Sequence, residues 1–541
     1  MSTSGKIEGV VDALRARDFK FVGRTFDGQL RFLGQLRCSE SAHDCELQVD
    51  PQFIDIPSIQ LLDLPASLGP ITPHINSNGQ LCYIAKGTIV LDIFDPVGQT
   101  LACIQRAEEV FDSILKGDMV ADLEEEFYAY WDGIPCLVDV QDQQLGRQET
   151  LTVKSDGRLI VIVTDDTLRT AAKLKSLNLD IVDKKLLTYR VRTCAKPRPN
   201  LKADWPPKKI SDLLAWQRQL DQRCRKKIEE RLQQGLRTKA KGVLILIESP
   251  LLTYGFVVLF NREKTKKGKY VVKPANMHNS DVIPASVMHI DDHYMAQRNI
   301  PGMQTLAGKH IVLIGCGTIG GFLAEMLVKA GAGTSGGKLT LVDFETLSPQ
   351  NIGRHRLGFP SLFVNKAVSL AGELRRGAPG ATIRELPVDV RMAQLGKFDL
   401  IIDATGEESI GHWLCKQYLA KAAMLTVWIE GPGTAVRALI HTRADGACYR
   451  CLFEANRKGL LPSISGELPL LLAGQGCEDL YVPFPASVSV QAASLASEMV
   501  LAWINGVVSP TLRTKLIDTQ FKLGTSDCDP PKMDSCPICS S

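Results

Sequence analysis

The sequence predicts a multidomain chain of mixed class: an α+β domain first, a strand-containing middle region, then an α/β domain built on a parallel sheet. Three observations carry this. Residues 1–140 open with apolar positions at helical spacing, pass through strand-like runs, and return to a helical pattern. Residues 141–285 hold isolated strand-length apolar runs. From residue 286 the pattern becomes strand, glycine-rich turn, helix, strand, the alternation that builds parallel sheets.

In the first segment Ile7, Val10, Val11 and Leu14 recur at helical spacing, so an amphipathic helix opens the chain. Asp27-Gly28 and Asn78-Gly79 mark tight turns among the strand-like runs that follow. A second helix is expected over about residues 100–115, ending near Gly117. In the middle, Leu159–Val163, Val243–Ile247 and Phe256–Phe260 read as strands. Pro197, Pro199, Pro206 and Pro207 predict an extended or hinge-like stretch. Residues 208–241 carry eleven Lys/Arg against four Asp/Glu, which suits either a grip on an acidic partner or a solvated basic helix.

Bulk composition limits the function classes. With 541 residues, 45% hydrophobic and 23% charged, the chain has the make-up of a folded globular protein. A net charge of +3 is too small to make nucleic acid or a membrane surface the main partner. No secretory signal opens the chain, and no uninterrupted apolar run approaches the ~20 residues of a membrane helix. A cytoplasmic location is therefore expected, with the 15 cysteines as thiols or metal ligands rather than disulfides.

Gly315-x-Gly317-x-x-Gly320 follows an apolar strand and opens a helix, and Asp343 ends the next strand, 28 residues after Gly315. Glycines there let the backbone approach phosphates at a helix N-terminus, and the acid can hold ribose hydroxyls. A nicotinamide dehydrogenase would use the same turn. Asn351, Arg354 and Lys366 follow in LVDFETLSPQNIGRHRLGFPSLFVNKA, and Asp403 ends a later strand. Cations beside a triphosphate stabilise a leaving pyrophosphate, and a carboxylate can hold Mg²⁺. Hydride transfer needs neither, so the set favours ATP over NAD.

GCGTIG, VDFETLSPQN, the Asn351-x-x-Arg354 pair, Lys366 and LIIDATG together resemble the ThiF-type, or ubiquitin-activating, adenylation family over about 286–541. The resemblance implies a Rossmann-like domain that adenylates the C-terminal carboxylate of a small ubiquitin-like protein, usually as a dimer. It places Arg298, in DDHYMAQRN, where an arginine reaches the partner subunit's ATP.

Cys448-x-x-Cys451 and Cys536-x-x-Cys539 are ligand pairs separated by 84 residues. Four thiolates suit a closed tetrahedral structural zinc, and the long gap fits a site that staples the C-terminal tail, as the resemblance also implies. Such a site could contribute on the order of 10 kcal/mol. Unligated thiols or a redox pair are the other reading. Cys477 stands apart in LAGQGCEDLYVPFP, between polar and glycine neighbours. In activating enzymes that form a thioester, the catalytic cysteine lies in such a loop. Cys415 and Cys528 are weaker competitors.

PHINSNGQLCY sets His74 eight residues before Cys82. A thiolate accepts the acyl group in transthiolation, and a nearby donor stabilises the oxyanion, typically by roughly 3–4 kcal/mol. The wording is similar to the ubiquitin-conjugating fold over about 1–140. His74 falls where that family's asparagine stands, and Thr72-Pro73 replaces its His-Pro, as in prokaryotic relatives. The joined order, conjugating domain before activating domain, resembles the bacterial fusion enzymes of CBASS anti-phage systems. That resemblance implies attachment of a cGAS-like nucleotidyltransferase or other ubiquitin-like C-terminus to a lysine-bearing acceptor, with ATP, Mg²⁺ and Zn²⁺ as cofactors.

The expected function is adenylation of a partner's C-terminus, thioester formation on Cys477, transthiolation to Cys82 and conjugation to lysine. A sulfur-carrier adenylyltransferase would leave 1–140 unexplained. A dehydrogenase would leave Arg354, Lys366 and the cysteine pairs idle. A non-catalytic scaffold would turn over no nucleotide.

Overall fold

A computed structural model describes residues 3–65, 68–69, 71–76, 78–85, 87–141, 145–183, 186–201, 204–238, 240, 242–260, 263–264, 270–271, 277–442, 446–474 and 480–539. The chain forms two compact units. One comprises Met1–Cys136, Gln144–Thr150 and Lys184–Val287; the other comprises Leu137–Gln143, Leu151–Asp183 and Met288–Ser541.

In the first unit, helix Thr3–Arg15 buries Val10 and Leu14, as their spacing predicts. An antiparallel sheet follows in chain order: Lys20–Arg24, Leu30–Arg37, Ala42–Val49 and Ser58–Leu61. The second helix runs Pro96–Lys116, four residues earlier than its expected start. The Asp95 side chain caps it by accepting from the Gly98 N–H, and Pro96 suits the first turn. Gly117 ends it at φ +81°, a left-handed cap that glycine adopts without strain.

The same unit contains the strands Leu186–Arg192, Gly242–Glu248 and Thr253–Leu259, covering two of the expected runs. The proline-rich stretch is extended but pinned, not a free hinge. Trp205 Nε1 donates to Tyr130 O at 2.7 Å, and Trp216 Nε1 donates to Arg198 O at 3.0 Å. The basic segment forms two helices, Ile210–Leu220 and Gln222–Leu236, broken at Asp221, whose side chain caps the second. Their apolar faces bury Leu213, Trp216, Ile228 and Leu232, while Lys226 and Lys227 stay exposed. Phe127, Trp131, Trp205, Trp216 and Tyr254 close into one aromatic cluster; Trp205 and Trp216 lie 5.0 Å apart, and Phe127 and Trp131 5.3 Å apart.

The second unit is built on a seven-stranded sheet. Its order is Ile383–Leu386, Lys338–Val342, His310–Ile314, Leu400–Asp403, Ala423–Glu430, Ala435–His441, Leu512–Leu516. The first five strands are parallel, as the alternating pattern requires, and the last two are antiparallel. Helix Ala486–Ile504 is long and apolar enough to cross a membrane, a property the run-length criterion passed over. Here Val488, Ala492, Ala493, Ala496 and Met499 are buried with the sheet's own residues in the unit's core.

Trp131 is fully buried in the aromatic cluster, so Trp131→Ala should cost about 3–5 kcal/mol of stability. Denaturant unfolding of the full chain measures this, with the exposed Leu33→Ala as a near-neutral control.

Candidate functional sites

The glycine turn occupies the carboxyl ends of the central parallel strands. A Cβ on Gly320 would lie 1.9 Å from Gly315 O, and a Cβ on Gly315 would lie 2.8 Å from Ala404 O. Both positions therefore exclude side chains. A Cβ on Gly317 would meet nothing within 4 Å, so that glycine leaves open space before helix Thr318–Lys329. An anion can approach the free N–H groups of the helix there.

Asp343 and Asp403 flank this turn at the ends of strands paired with His310–Ile314. Asp343 Oδ2 accepts the Cys316 N–H at 2.7 Å and Oδ1 accepts the Glu345 N–H at 2.8 Å. Asp403 is buried, and its carboxylate accepts from Thr405 N and Oγ1 at 3.1 and 2.7 Å. Burial pushes it up to about 6. A nearby cation would favour its charged form, which suits an Mg²⁺ ligand. Lys366 is also buried, its ammonium on the Glu345 carboxylate and its charge felt at Asp343. The turn, Asp343, Lys366 and Asp403 thus come together.

The other expected nucleotide residues are placed differently. Asn351 Oδ1 accepts from Ser348 N and Oγ at 3.1 and 3.0 Å, so it builds its own turn. Arg354 lies against the rings of Tyr481 and Phe484, at 5.0 and 4.7 Å, and donates to Val482 O at 3.2 Å. Among the described residues its buried Nε has no hydrogen-bond partner. Arg298 is exposed at the end of the short helix Asp292–Gln297. His355, which sequence reading missed, ties this segment to the turn. Its Nε2–H donates to Cys316 O at 2.9 Å and its Nδ1 accepts the Leu357 N–H at 3.0 Å. Burial lowers it to about 4, so the imidazole is neutral.

Cys477 lies outside the described residues. Ala473 and Tyr481, which stand on either side of it in sequence, exchange paired backbone hydrogen bonds, both 2.9 Å. The competing thiols have structural surroundings: Cys415 is buried against Met424, and Cys528 pairs its backbone with Leu512.

The four cysteines of the two CxxC pairs converge. Their Sγ atoms all lie within 4.8 Å of one another, with Cys448 3.8 Å from Cys451, Cys448 3.7 Å from Cys536, and Cys451 3.7 Å from Cys539. Sulfurs about 2.3 Å from one zinc on a tetrahedron stand about 3.8 Å apart. The donor set therefore fits Zn²⁺. The Met533 N–H donates to Cys451 Sγ at 3.4 Å, an outer contact of the kind that orients thiolate ligands.

In the first unit, Cys82 is exposed, and its N–H donates to His74 O at 2.7 Å. His74 adopts φ +61°, a conformation held by its partners. Nε2 lies 2.9 Å from Asp122 Oδ2, Nδ1 lies 2.7 Å from Glu126 Oε1, and the His74 N–H donates to Glu126 Oε2 at 3.1 Å. Both ring nitrogens of His74 thus face carboxylates. Cys82, His74 and Glu126 line one groove of about 1550 Å³.

A glycine-turn nucleotide site on one unit and a cysteine in a conjugating-type loop on the other define a fused activating and conjugating protein. Residues 292–537 match the ThiF family and residues 27–134 match the prokaryotic E2 family B. The chain is 57% identical, over the whole of both chains, to the ATP-dependent ubiquitin transferase-like protein Cap2 of Pseudomonas aeruginosa strain BWHPSA011 / Pa011. It is 27% identical to the Cap2 of Escherichia coli strain TW11681, covering 91% of this chain and 90% of that one. The chain belongs to the Cap2 family of ATP-dependent ubiquitin transferase-like proteins. Among solved structures, E. coli MccB with ATP aligns at a TM-score of 0.34 and 15% identity, covering 46% of this chain and 70% of MccB.

Two outcomes follow. Elemental analysis of the purified chain should find about one zinc, and Cys536→Ser should lower both that content and stability; a stable, active, metal-free protein would contradict the assignment. His355 is uncharged in the fold but protonates when unfolded below about pH 6.5. Its stabilising contribution is therefore full above pH 6.5 and is lost as pH falls toward about 4, by up to roughly 3 kcal/mol. His355→Gln should flatten the pH dependence of unfolding across that window.

Proposed function

We propose that this enzyme adenylates the C-terminal carboxylate of a partner protein, carries the acyl group on its own cysteines and conjugates it to a lysine. The setting is CBASS-type bacterial anti-phage defence. The carrying observation is that ThiF and prokaryotic E2 regions share one chain that aligns end to end with a Cap2 protein. A dehydrogenase reading has no support in either family. A sulfur-carrier adenylyltransferase reading leaves residues 27–134 without a task.

In this reading residues 286–541 bind ATP with its phosphates at the glycine turn, and Asp343 holds the ribose. Lys366 and Arg354 lie with the triphosphate and stabilise the leaving pyrophosphate, Arg354 exchanging its Val482 and aromatic contacts for phosphate oxygens. Asp403 would hold Mg²⁺, which supplies further charge stabilisation. Asn351 orders the turn that presents Arg354, and Arg298 acts across a homodimer. Cys477 attacks the acyl-adenylate, displacing AMP to give a thioester. Cys82, in the 1–140 domain, takes over the acyl group by transthiolation, and a lysine amine attacks there. The zinc holds the C-terminal tail and takes no part in the chemistry.

Asp403→Ala should abolish partner-dependent ATP–pyrophosphate exchange; normal exchange would remove Asp403 from the site. The thiol order is tested on non-reducing gels with partner and ATP. Cys477→Ala should still adenylate yet show no thioester at either cysteine, and Cys82→Ala should accumulate one at Cys477. Normal charging of Cys82 in Cys477→Ala would end the two-thiol relay.

A further inference from the structure

We propose that Tyr449 and Gly411 are positioning residues for Asp403: the four-cysteine cluster holds the Tyr449 ring, the ring backs Gly411, and Gly411 sets where the Asp403 carboxylate stands. The inference rests on the reading of Asp403 as the Mg²⁺ ligand.

Gly411 lies inside helix Glu408–Tyr418, where alanine is ordinarily the better residue. A Cβ there would lie 2.9 Å from both Cδ1 and Cε1 of Tyr449 and 3.0 Å from Asp403 Oδ2. The missing side chain is the space that ring and carboxylate share. The two carboxylate oxygens differ in what they do. Oδ1 accepts both Thr405 donors, at 3.1 and 2.7 Å. Oδ2, the oxygen beside Gly411, has no hydrogen-bond donor among the described residues, so its lone pairs are left for a cation. A contact that moves Oδ2 therefore acts on the metal-binding oxygen itself.

The ring is held and does not yield. Tyr449 directly follows Cys448, which caps helix Tyr449–Arg457 and is one of the four converging cysteines. The ring packs edge-on against Trp428 at 5.3 Å and lies 5.6 Å from the ring of His412. The helix that carries Gly411 is docked on the same cluster. Its Leu414 and Cys415 share one buried core with Cys448, Cys451 and Cys536. Both helices are thus referenced to the cysteines, and through Gly411 so is the carboxylate at the end of strand Leu400–Asp403.

The test measures the affinity of the full-length protein for labelled ATP by equilibrium dialysis, once with Mg²⁺ and once with EDTA. The ratio of the two affinities reports the metal contact. Asp403→Asn should lower it. Gly411→Ala should lower it about 10-fold, with the EDTA affinity and the zinc content unchanged. Tyr449→Ala should lower it as well, and Tyr449→Phe, which keeps the ring, should retain it. Gly411→Ala combined with Tyr449→Ala should give a higher ratio than Gly411→Ala alone, because the methyl group then has the space of the ring. An unchanged ratio in Gly411→Ala or in Tyr449→Ala, an equal loss with Mg²⁺ and with EDTA, or a double variant no better than Gly411→Ala would overturn the assignment. So would a fall in the ratio that comes with lost zinc. A wild-type ratio in Asp403→Asn would instead remove Asp403 as the metal ligand, and this inference with it.

Discussion

The nucleotide unit depends on one close approach of backbone to backbone. Gly320 comes so near the carbonyl of Gly315 that a methyl group would sit 1.9 Å from it. That contact lets helix Thr318–Lys329 start directly at the strand ends, where its first N–H groups have no partner within the helix and Gly317 leaves open space. The surrounding residues are arranged to preserve it. Asp343 takes one backbone donor of the turn, neutral His355 caps its carbonyl, and Asp403 lies at the neighbouring strand end. Asp343 and His355 are therefore referenced to the same few backbone atoms.

The first unit solves a different problem. Cys82 is exposed and is not fixed by burial, as the proposed meeting of its thiol with a macromolecule requires. Precision comes instead from the neighbouring His74, whose backbone and ring hold the cysteine and the acids together. The acids stand on the turn that runs into Phe127–Tyr130, and that turn is anchored by stacked aromatic rings. Burial of large rings thus supports a polar, water-facing arrangement that could not support itself.

What was legible in the sequence was local. The glycine turn, the strand runs and the CxxC pairs are short-range patterns whose chemistry demands fixed spacing. Even the four-cysteine cluster was legible across 84 residues, because two CxxC pairs leave few other partners. The Gly117 cap and helix Pro96–Lys116 followed from periodicity and punctuation, although the Asp95 cap moved the start to Pro96. The rest was not legible because the partners are distant and their residue types common. Glu126 meets His74 across 52 positions from within a run of three glutamates, and His355 meets Cys316 across 39. The surroundings of His74 were hidden for the same reason: its spacing to Cys82 was visible, whereas the two carboxylates at its ring were not. Arg354 was expected at phosphates, and its packing on Tyr481 and Phe484 depends on a loop more than a hundred residues away.

The central claim is that one chain both activates a protein C-terminus and carries it on Cys82. The most direct measurement is mass spectrometry of the Cys82 peptide after the full-length protein has been incubated with host-cell lysate, with and without ATP. The account predicts an acid-quenched, hydroxylamine-sensitive adduct at Cys82 that ends in a protein's own C-terminal residues and appears only with ATP. Consumption of ATP to adenylate a protein C-terminus while Cys82 stays unmodified would contradict it.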